Sequence, residues 1–368
     1  MKFKTTIIML IILITLPLSG CSETSQLHQK LIIQGIGVDQ NEEGNYDVTI
    51  QAYDYQNSTS EGKIPFKTLE LSGSSIMQAF SNIYKQTGLE PLYSQNMLII
   101  LGEDLCESGV SKAMDFFIRH YEVRPDAKIC VAKGEARDII ECKKDGKNIS
   151  IKDLSELVYD KNDVIHFVGM IKDGISSPSV TAIAVKGEKE DDDKEIVAEG
   201  IAYFKNDVLI GFSNSSQTVG IELINGDCVG KTYVIDVGNG IKAACTVRGI
   251  SKEVKAETLN EGLKFDVKLK LDAGIYELSG KNTNLGEGIS KGELENKLSL
   301  YVNDVCKKTI EEVVVKNSID IFRFGKLLMN TNPNYFRSLE DWSSEISKAS
   351  YSVNSQSDIS VTGTEILF

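Results

Sequence analysis

The stretch that most constrains the fold is "NMLIILG" at residues 96–102. It is short, wholly apolar and bounded by turn signals, the pattern of a central strand. Such a strand needs helices to cover it, and the flanking sequence supplies them. Upstream, Ile76, Phe80, Ile83 and Tyr84 recur at helical spacing, with Ser72 or Ser74 as N-cap and Gly88 beyond the end. Downstream, Val110, Met114, Phe117, Ile118 and Tyr121 predict a second amphipathic helix capped by Ser108. "AKICVAKG" then reads as a strand and "EARDIIECKK" as a short helix. At the front, "LIIQGIGVD" and "NYDVTIQAYDY" flank a turn at Gly44-Asn45. In the second run Tyr46, Val48, Ile50 and Ala52 alternate with Asp47, Thr49 and Gln51. The expectation is an α/β domain over 31–190, with room for a subdivision near 145.

After residue 150 the signal weakens. A short helix near 152–160 and a strand at 179–186 lead into "GEKEDDDKE". That run reads as a solvated loop, because it lacks the spaced ligands and turn glycine of a calcium loop. A boundary is expected there, with a second, α+β domain over 196–368. It opens on "EGIAYFKNDVLIGF", a hairpin with Ala202 and Phe204, then Val208, Ile210 and Phe212, about an Asn206-Asp207 turn. Strands follow near 231–237, 241–256 and 263–278. The last sets Phe265, Val267, Leu269 and Leu271 against Asp266, Lys268, Lys270 and Asp272. From Gly292 to Asn330, residues from Leu294 and Leu298 to Ile321, Phe324 and Leu328 keep one helical phase. Unbroken, such a helix runs about 58 Å, and Asn317-Ser318 is the expected bend. Asn332-Pro333 opens a short helix carrying Phe336, Leu339, Trp342 and Ile346. A closing strand alternates Tyr351, Val353, Ile359 and Val361. The fold class is α+β and multidomain: mixed sheets with packed helices, including a C-terminal β-meander, a long helix and a closing strand.

The first twenty residues have another character. Lys2 and Lys4 precede an apolar run from Ile7 to Leu18, of signal-peptide length and too short to span a bilayer. Leu18-Ser19-Gly20-Cys21 resembles the bacterial lipobox. Residues 1–20 are expected to be a lipoprotein signal peptide, Cys21 to carry diacylglycerol, and 21–30 to be a tether. Acyl chains add roughly 0.8 kcal/mol per buried methylene, so two or more anchor stably. No later stretch approaches eighteen consecutive apolar residues, which leaves the lipid as the expected membrane attachment.

The formal charge of −13 argues against nucleic-acid binding and against a basic patch on anionic lipid. Cys106, Cys130, Cys142, Cys228, Cys245 and Cys306 include no C-x-x-C pair and read as buried free thiols ahead of disulfides. His28, His120 and His166 have no partner at metal-ligand spacing. The sequence holds no G-x-S-x-G elbow and no P-loop, and the glycine-rich "GKNTNLGEGISKG" lacks the G-K-[ST] ending. Neither an enzyme nor a resident cofactor is expected, apart from the lipid on Cys21.

Several stretches, in order, resemble the Ger(x)C family, the lipoprotein C subunits of bacterial spore germinant receptors. They are the lipobox, "IIQGIGVDQNEEGNYDVTIQ", "MDFFIRHYEVRPDAKICVAKGEARDII", "AEGIAYFKNDVLIGF", "DIFRFGKLL" and the closing "VTGTEIL". Two departures stand out: His120-Tyr121 lies where the family often has Asp-Pro, and Arg323 replaces the first glycine of an F-G-F-G run. The resemblance implies a non-enzymatic subunit, lipid-anchored on the outer face of the spore inner membrane. It implies assembly with integral membrane A and B subunits into a complex that responds to nutrient germinants. The alternative is a lipid-anchored extracytoplasmic solute-binding protein, which would usually show two similar α/β lobes.

Two groups of residues are candidates for partner contact. Arg119, Glu122 and Arg124 follow the second helix, where an ordinary helix-end ion cluster is the competing reading. Phe322 and Arg323 fall out of phase with Ile321, Phe324 and Leu328, which are expected to be core, and this predicts that they contact a neighbouring subunit or domain.

Overall fold

The computed structural model describes residues 29–55, 64–144, 146–187, 194–238, 240–259, 262–280 and 290–362. The signal segment, Cys21, His28 and most of the acidic and glycine-rich runs lie outside the described residues.

The first half is built on β1 (Lys30–Gln40), β2 (Tyr46–Tyr53), β3 (Phe66–Gly73), β4 (Glu90–Leu92), β5 (Leu98–Leu101) and β6 (Lys128–Ala132). Its helices are α1 (Ile76–Thr87), α2 (Glu103–Ser108), α3 (Ser111–Arg119), α4 (Ala136–Ile140), α5 (Ile151–Glu156) and α6 (Val164–Asp173), with a small β7 (Lys143–Lys144) and β8 (Lys147–Asn148) ribbon between α4 and α5. After α6 come β9 (Ser179–Lys186), β10 (Glu195–Lys205) and β11 (Val208–Phe212). The strands form one mixed sheet in the order β11-β10-β9-β6-β5-β1-β2-β3, with β4 beside β1. β1, β5, β6 and β9 run parallel through its centre, and the hairpin strands at both ends are antiparallel.

β5 is buried on both faces, as its apolar run requires. Ile99 and Leu101 join the core under α1, α2, α3 and α6, whereas Leu98 and Ile100 join the one under α4 and α5. Glycines set the closeness of that second layer. A Cβ on Gly35 would stand 2.3 Å from Ile151 Cδ1, and one on Gly37 would stand 2.9 Å from Ile140 Cδ1. Gln51, fully buried, accepts from the Ile151 N–H (3.1 Å) and donates to the Ile149 carbonyl (2.9 Å).

The second half starts with α7 (Ser215–Asn225) and a sheet of β12 (Thr232–Gly238), β13 (Ile241–Leu259), β14 (Gly262–Gly280) and β15 (Ser350–Thr362). β12, β13 and β14 form the expected meander; β15 returns parallel to β14. Phe265, Val267, Leu269 and Leu271 are buried. α8 (Lys291–Thr309) crosses the edge strand β15 and protects it. Glu295, Ser299 and Asn303, one turn apart, accept the N–H groups of Ile359, Ser357 and Ser355 at 3.0, 3.0 and 2.7 Å.

The long helix does not run to Asn330. α8 passes into a π-helical segment, Ile310–Val315, and Ser318 turns left-handed at φ 54°, at the expected bend. Asn317 Nδ2 takes up the Glu312 and Val313 carbonyls (3.1 and 2.9 Å) that this ending frees. The chain resumes as α9 (Phe324–Thr331), α10 (Pro333–Ser338) and α11 (Trp342–Lys348). Other expectations shift too. Ser75, not Ser72 or Ser74, caps α1. The helix expected over Val110–Tyr121 is α3, but Ser108 does not cap it: Ser108 ends α2, Gly109 (φ 105°) separates the two helices, and Val110 is the N-cap without a side-chain bond. Ile118 is exposed on α3 and Tyr121 lies exposed beyond its end, so neither belongs to the expected apolar stripe. All six described cysteines are free and buried.

The boundary placed near 190–196 cuts through the first sheet, because β10 and β11 extend it. Strand alternation lets β10 serve two cores: Ala202 and Phe204 face the first, Ile201 and Tyr203 the second.

Candidate functional site

The residues marked out by sequence fall in two separate places. Arg119 is the last residue of α3, and Glu122 and Arg124 lie on the surface loop that follows. Arg119 pairs with Asp115 one turn back (2.7 Å), Arg124 pairs with Asp126 (2.6 Å), and Glu122 accepts from the Tyr121 hydroxyl (3.2 Å). They form local pairs, not one network. The loop sits beside the start of the described chain, where Lys30 pairs with Glu90 (2.5 Å) and its charge is also favoured by Glu122.

The "DIFRFG" segment sits where the two halves meet. Asp320 is buried, and its carboxylate accepts the N–H groups of Phe324 (2.9 Å) and Gly325 (2.7 Å), the first two residues of α9. Its backbone is clamped to the first half: the Ser177 N–H donates to its carbonyl, and its own N–H donates to Ser177 Oγ, both at 2.9 Å. Gly325 has no room for a side chain, since a Cβ would meet Ile175 Cγ2 at 2.6 Å and Trp342 Cε2 at 2.7 Å. Phe322 contradicts the expectation that it faces a partner. It is 8% exposed and packs 5.6 Å from Phe324, centroid to centroid. The helical phase used to place it does not apply, because the helix has ended before it. Arg323 is exposed as expected, in a left-handed conformation (φ 63°), with its guanidinium 3.9 Å from Met170 Sδ on α6.

Arg323 borders a cleft of about 410 Å³ between the halves. Beside it, a buried polar cluster joins them. Glu222 on α7 is 5% exposed and accepts from the Tyr159 hydroxyl and the Lys231 ammonium, each at 2.5 Å, and from the Tyr233 hydroxyl at 3.3 Å. Lys231 also lies 4.9 Å from the Tyr159 ring centre. Burial, then Glu222, pushes both phenols well above their ordinary range. Lys161–Asp227 (2.7 Å) and Lys326–Asp173 (2.7 Å) also cross the seam. Sequence reasoning missed this cluster because its members lie far apart along the chain. The one legible signal was Glu222 itself, an acid inside the apolar run "VGIELIN".

Residues 23–170 match the family described as "Spore germination protein N-terminal domain", and residues 199–363 that described as "Spore germination B3/ GerAC like, C-terminal". The chain belongs to the GerAC-like spore germination family. It is 22% identical to spore germination protein B3 of Bacillus subtilis (strain 168), over 94% of this chain and 93% of that protein. It is 22% identical to spore germination protein KC of the same organism, over 94% and 91%. The crystal structure of the GerBC protein shares the fold, with a TM-score of 0.57 and 19% identity, covering 89% of this chain and 97% of that one.

The motifs behind the family resemblance hold this GerAC-like fold together. In "GIGVD" the glycines admit α4 and α5, and the Asp39 carboxylate accepts the N–H groups of Ala136 (2.8 Å) and Arg137 (3.0 Å) at the start of α4. Gly200 in "EGIAYF" has φ 96°, and a Cβ there would stand 2.5 Å from the Ser213 carbonyl oxygen. Among the described residues no group of His, Cys, Asp and Glu is arranged to hold a metal ion.

Proposed function

We propose that this protein is a lipid-anchored, non-catalytic subunit of a nutrient germinant receptor, held by diacylglycerol on Cys21 at the outer face of the spore inner membrane. It assembles there with the integral membrane A and B subunits. The observation that carries this reading is the coincidence of two family matches, together spanning most of the chain, with a lipobox directly ahead of them. Among the described residues no helix is long and apolar enough to cross a membrane. Glu122 on the Arg119–Arg124 stretch is within electrostatic reach of Lys30, nine residues after Cys21 in the sequence, which supports reading this stretch as the membrane-subunit contact.

One experiment tests both parts. In sporulating cells, Cys21→Ala is expected to leave an unprocessed or soluble chain. Arg124→Glu is expected to leave it anchored but to reduce its recovery with the membrane subunits. An unmodified Cys21 found by mass spectrometry in membrane-bound protein refutes the anchor. Unchanged recovery of the Arg124→Glu variant removes the loop from the interface.

A further inference from the structure

The cleft between the halves has a charge pattern that the rest of this acidic chain does not lead one to expect. Three cationic side chains reach it from separate elements: Lys161 ahead of α6, Lys252 on β13 and Arg323 at the start of α9. Lys161 is answered by Asp227, and the bordering Glu222 by Lys231. Among the described residues neither Lys252 nor Arg323 has a carboxylate at ion-pair distance, and the Arg323 guanidinium donates to the Met170 sulfur. Lys252 is exposed on β13, and its ammonium is held somewhat below its ordinary value by partial desolvation and by Lys161 and Arg323, against the pull of Asp227. Arg323 holds its place in a left-handed backbone conformation (φ 63°) that non-glycine residues rarely adopt. The lining is mixed: Asn162, His166, Ser179 and Asn225 contribute polar groups, and Ile201, Ile221 and Ile321 apolar ones.

We infer that this cleft binds a small organic anion, a carboxylate with a hydrocarbon body, its charge between Lys252 and Arg323 and its apolar part against the three isoleucines. A guanidinium fork suits the two oxygens of a carboxylate. The volume lies toward the low end of small-molecule sites, roughly 300–1,000 Å³. Glu222 and Asp227 on the same rim limit the negative charge that the cleft accepts, which favours one carboxylate over a multiply charged phosphate. This inference does not depend on how the chain is anchored or which subunits it joins.

The test is calorimetric titration of the full chain in detergent micelles with isovalerate, its neutral isostere isovaleramide and inorganic phosphate. Isovalerate is expected to bind saturably, and the other two at least about tenfold more weakly. Arg323→Gly and Lys252→Gln are each expected to weaken isovalerate at least about tenfold, some 1.4 kcal/mol. Arg323→Gly is also expected to melt no lower than the parent, because glycine occupies a left-handed position without strain. That separates loss of the site from loss of the fold. Absence of saturable isovalerate binding, preference for phosphate or for isovaleramide, or binding that survives both substitutions overturns the inference.

Discussion

Phe322 and Phe324 provide a direct test of how the end of "DIFRFG" is packed. Phe324 is 1% exposed, with its ring 4.8 Å from Phe265 at 24° and 5.7 Å from Tyr351. Removing a buried phenylalanine side chain costs about 3–5 kcal/mol, and Phe324→Ala belongs near the top of that range because its ring is fully enclosed between other aromatic rings. Phe322 is 8% exposed and borders the cleft, where water can replace part of the lost ring, so Phe322→Ala is expected near the bottom, about 3 kcal/mol. In a chain this long each kcal/mol lowers the melting temperature by about 2 °C. The drops should therefore be about 9 °C and about 6 °C by differential scanning calorimetry. The two rings touch, so the double substitution should cost less than the sum, by roughly 0.5–1.5 kcal/mol. If Phe322→Ala melts with the parent while Phe324→Ala does not, Phe322 is a surface residue and its placement in the core is wrong.

Glu222→Ala is expected to cost about 3 kcal/mol in urea titration, because it leaves two hydroxyls and the Lys231 ammonium without their acceptor; a loss below about 0.5 kcal/mol would show that the cluster does not hold the halves together. Burial, against the two N–H groups of α9, pushes the Asp320 carboxyl up to about 6. Between about pH 4 and 6 the folded chain then keeps a proton that the unfolded chain has lost, so this residue's contribution is greatest on the acid side and declines as pH rises. Relative to Asp320→Asn, the parent should lose about 1.4 kcal/mol per pH unit across that window, and a difference that stays flat with pH would refute this.

What the sequence revealed, and what it hid, follows from how local each signal is. The β5 run, the Asn206-Asp207 turn and the alternation of β14 each depend on neighbours within a few residues, and each lies where the pattern put it. The helix ending at Ser318 defeated the same method. Phase was carried past a bend that the sequence had marked, so Phe322 was turned outward. Ser108 was read as the cap of the helix that follows, whereas it closes a short helix of its own ahead of Gly109. The cleft was invisible for another reason: Tyr159, Glu222, Lys252 and Arg323 meet only once the two sheets have packed, and no spacing along the chain encodes that.

The double duty of β10 has a consequence for cooperativity. A strand whose alternate side chains complete two cores cannot leave one without unseating the other, and the Ser177–Asp320 clamp ties the same seam at a second point. The halves therefore unfold as one unit rather than as independent domains. A probe of tertiary structure in the first sheet and one in the second should report a single coincident transition. A cut near residue 190 should strand the β10–β11 hairpin and release two fragments that are each missing part of a core.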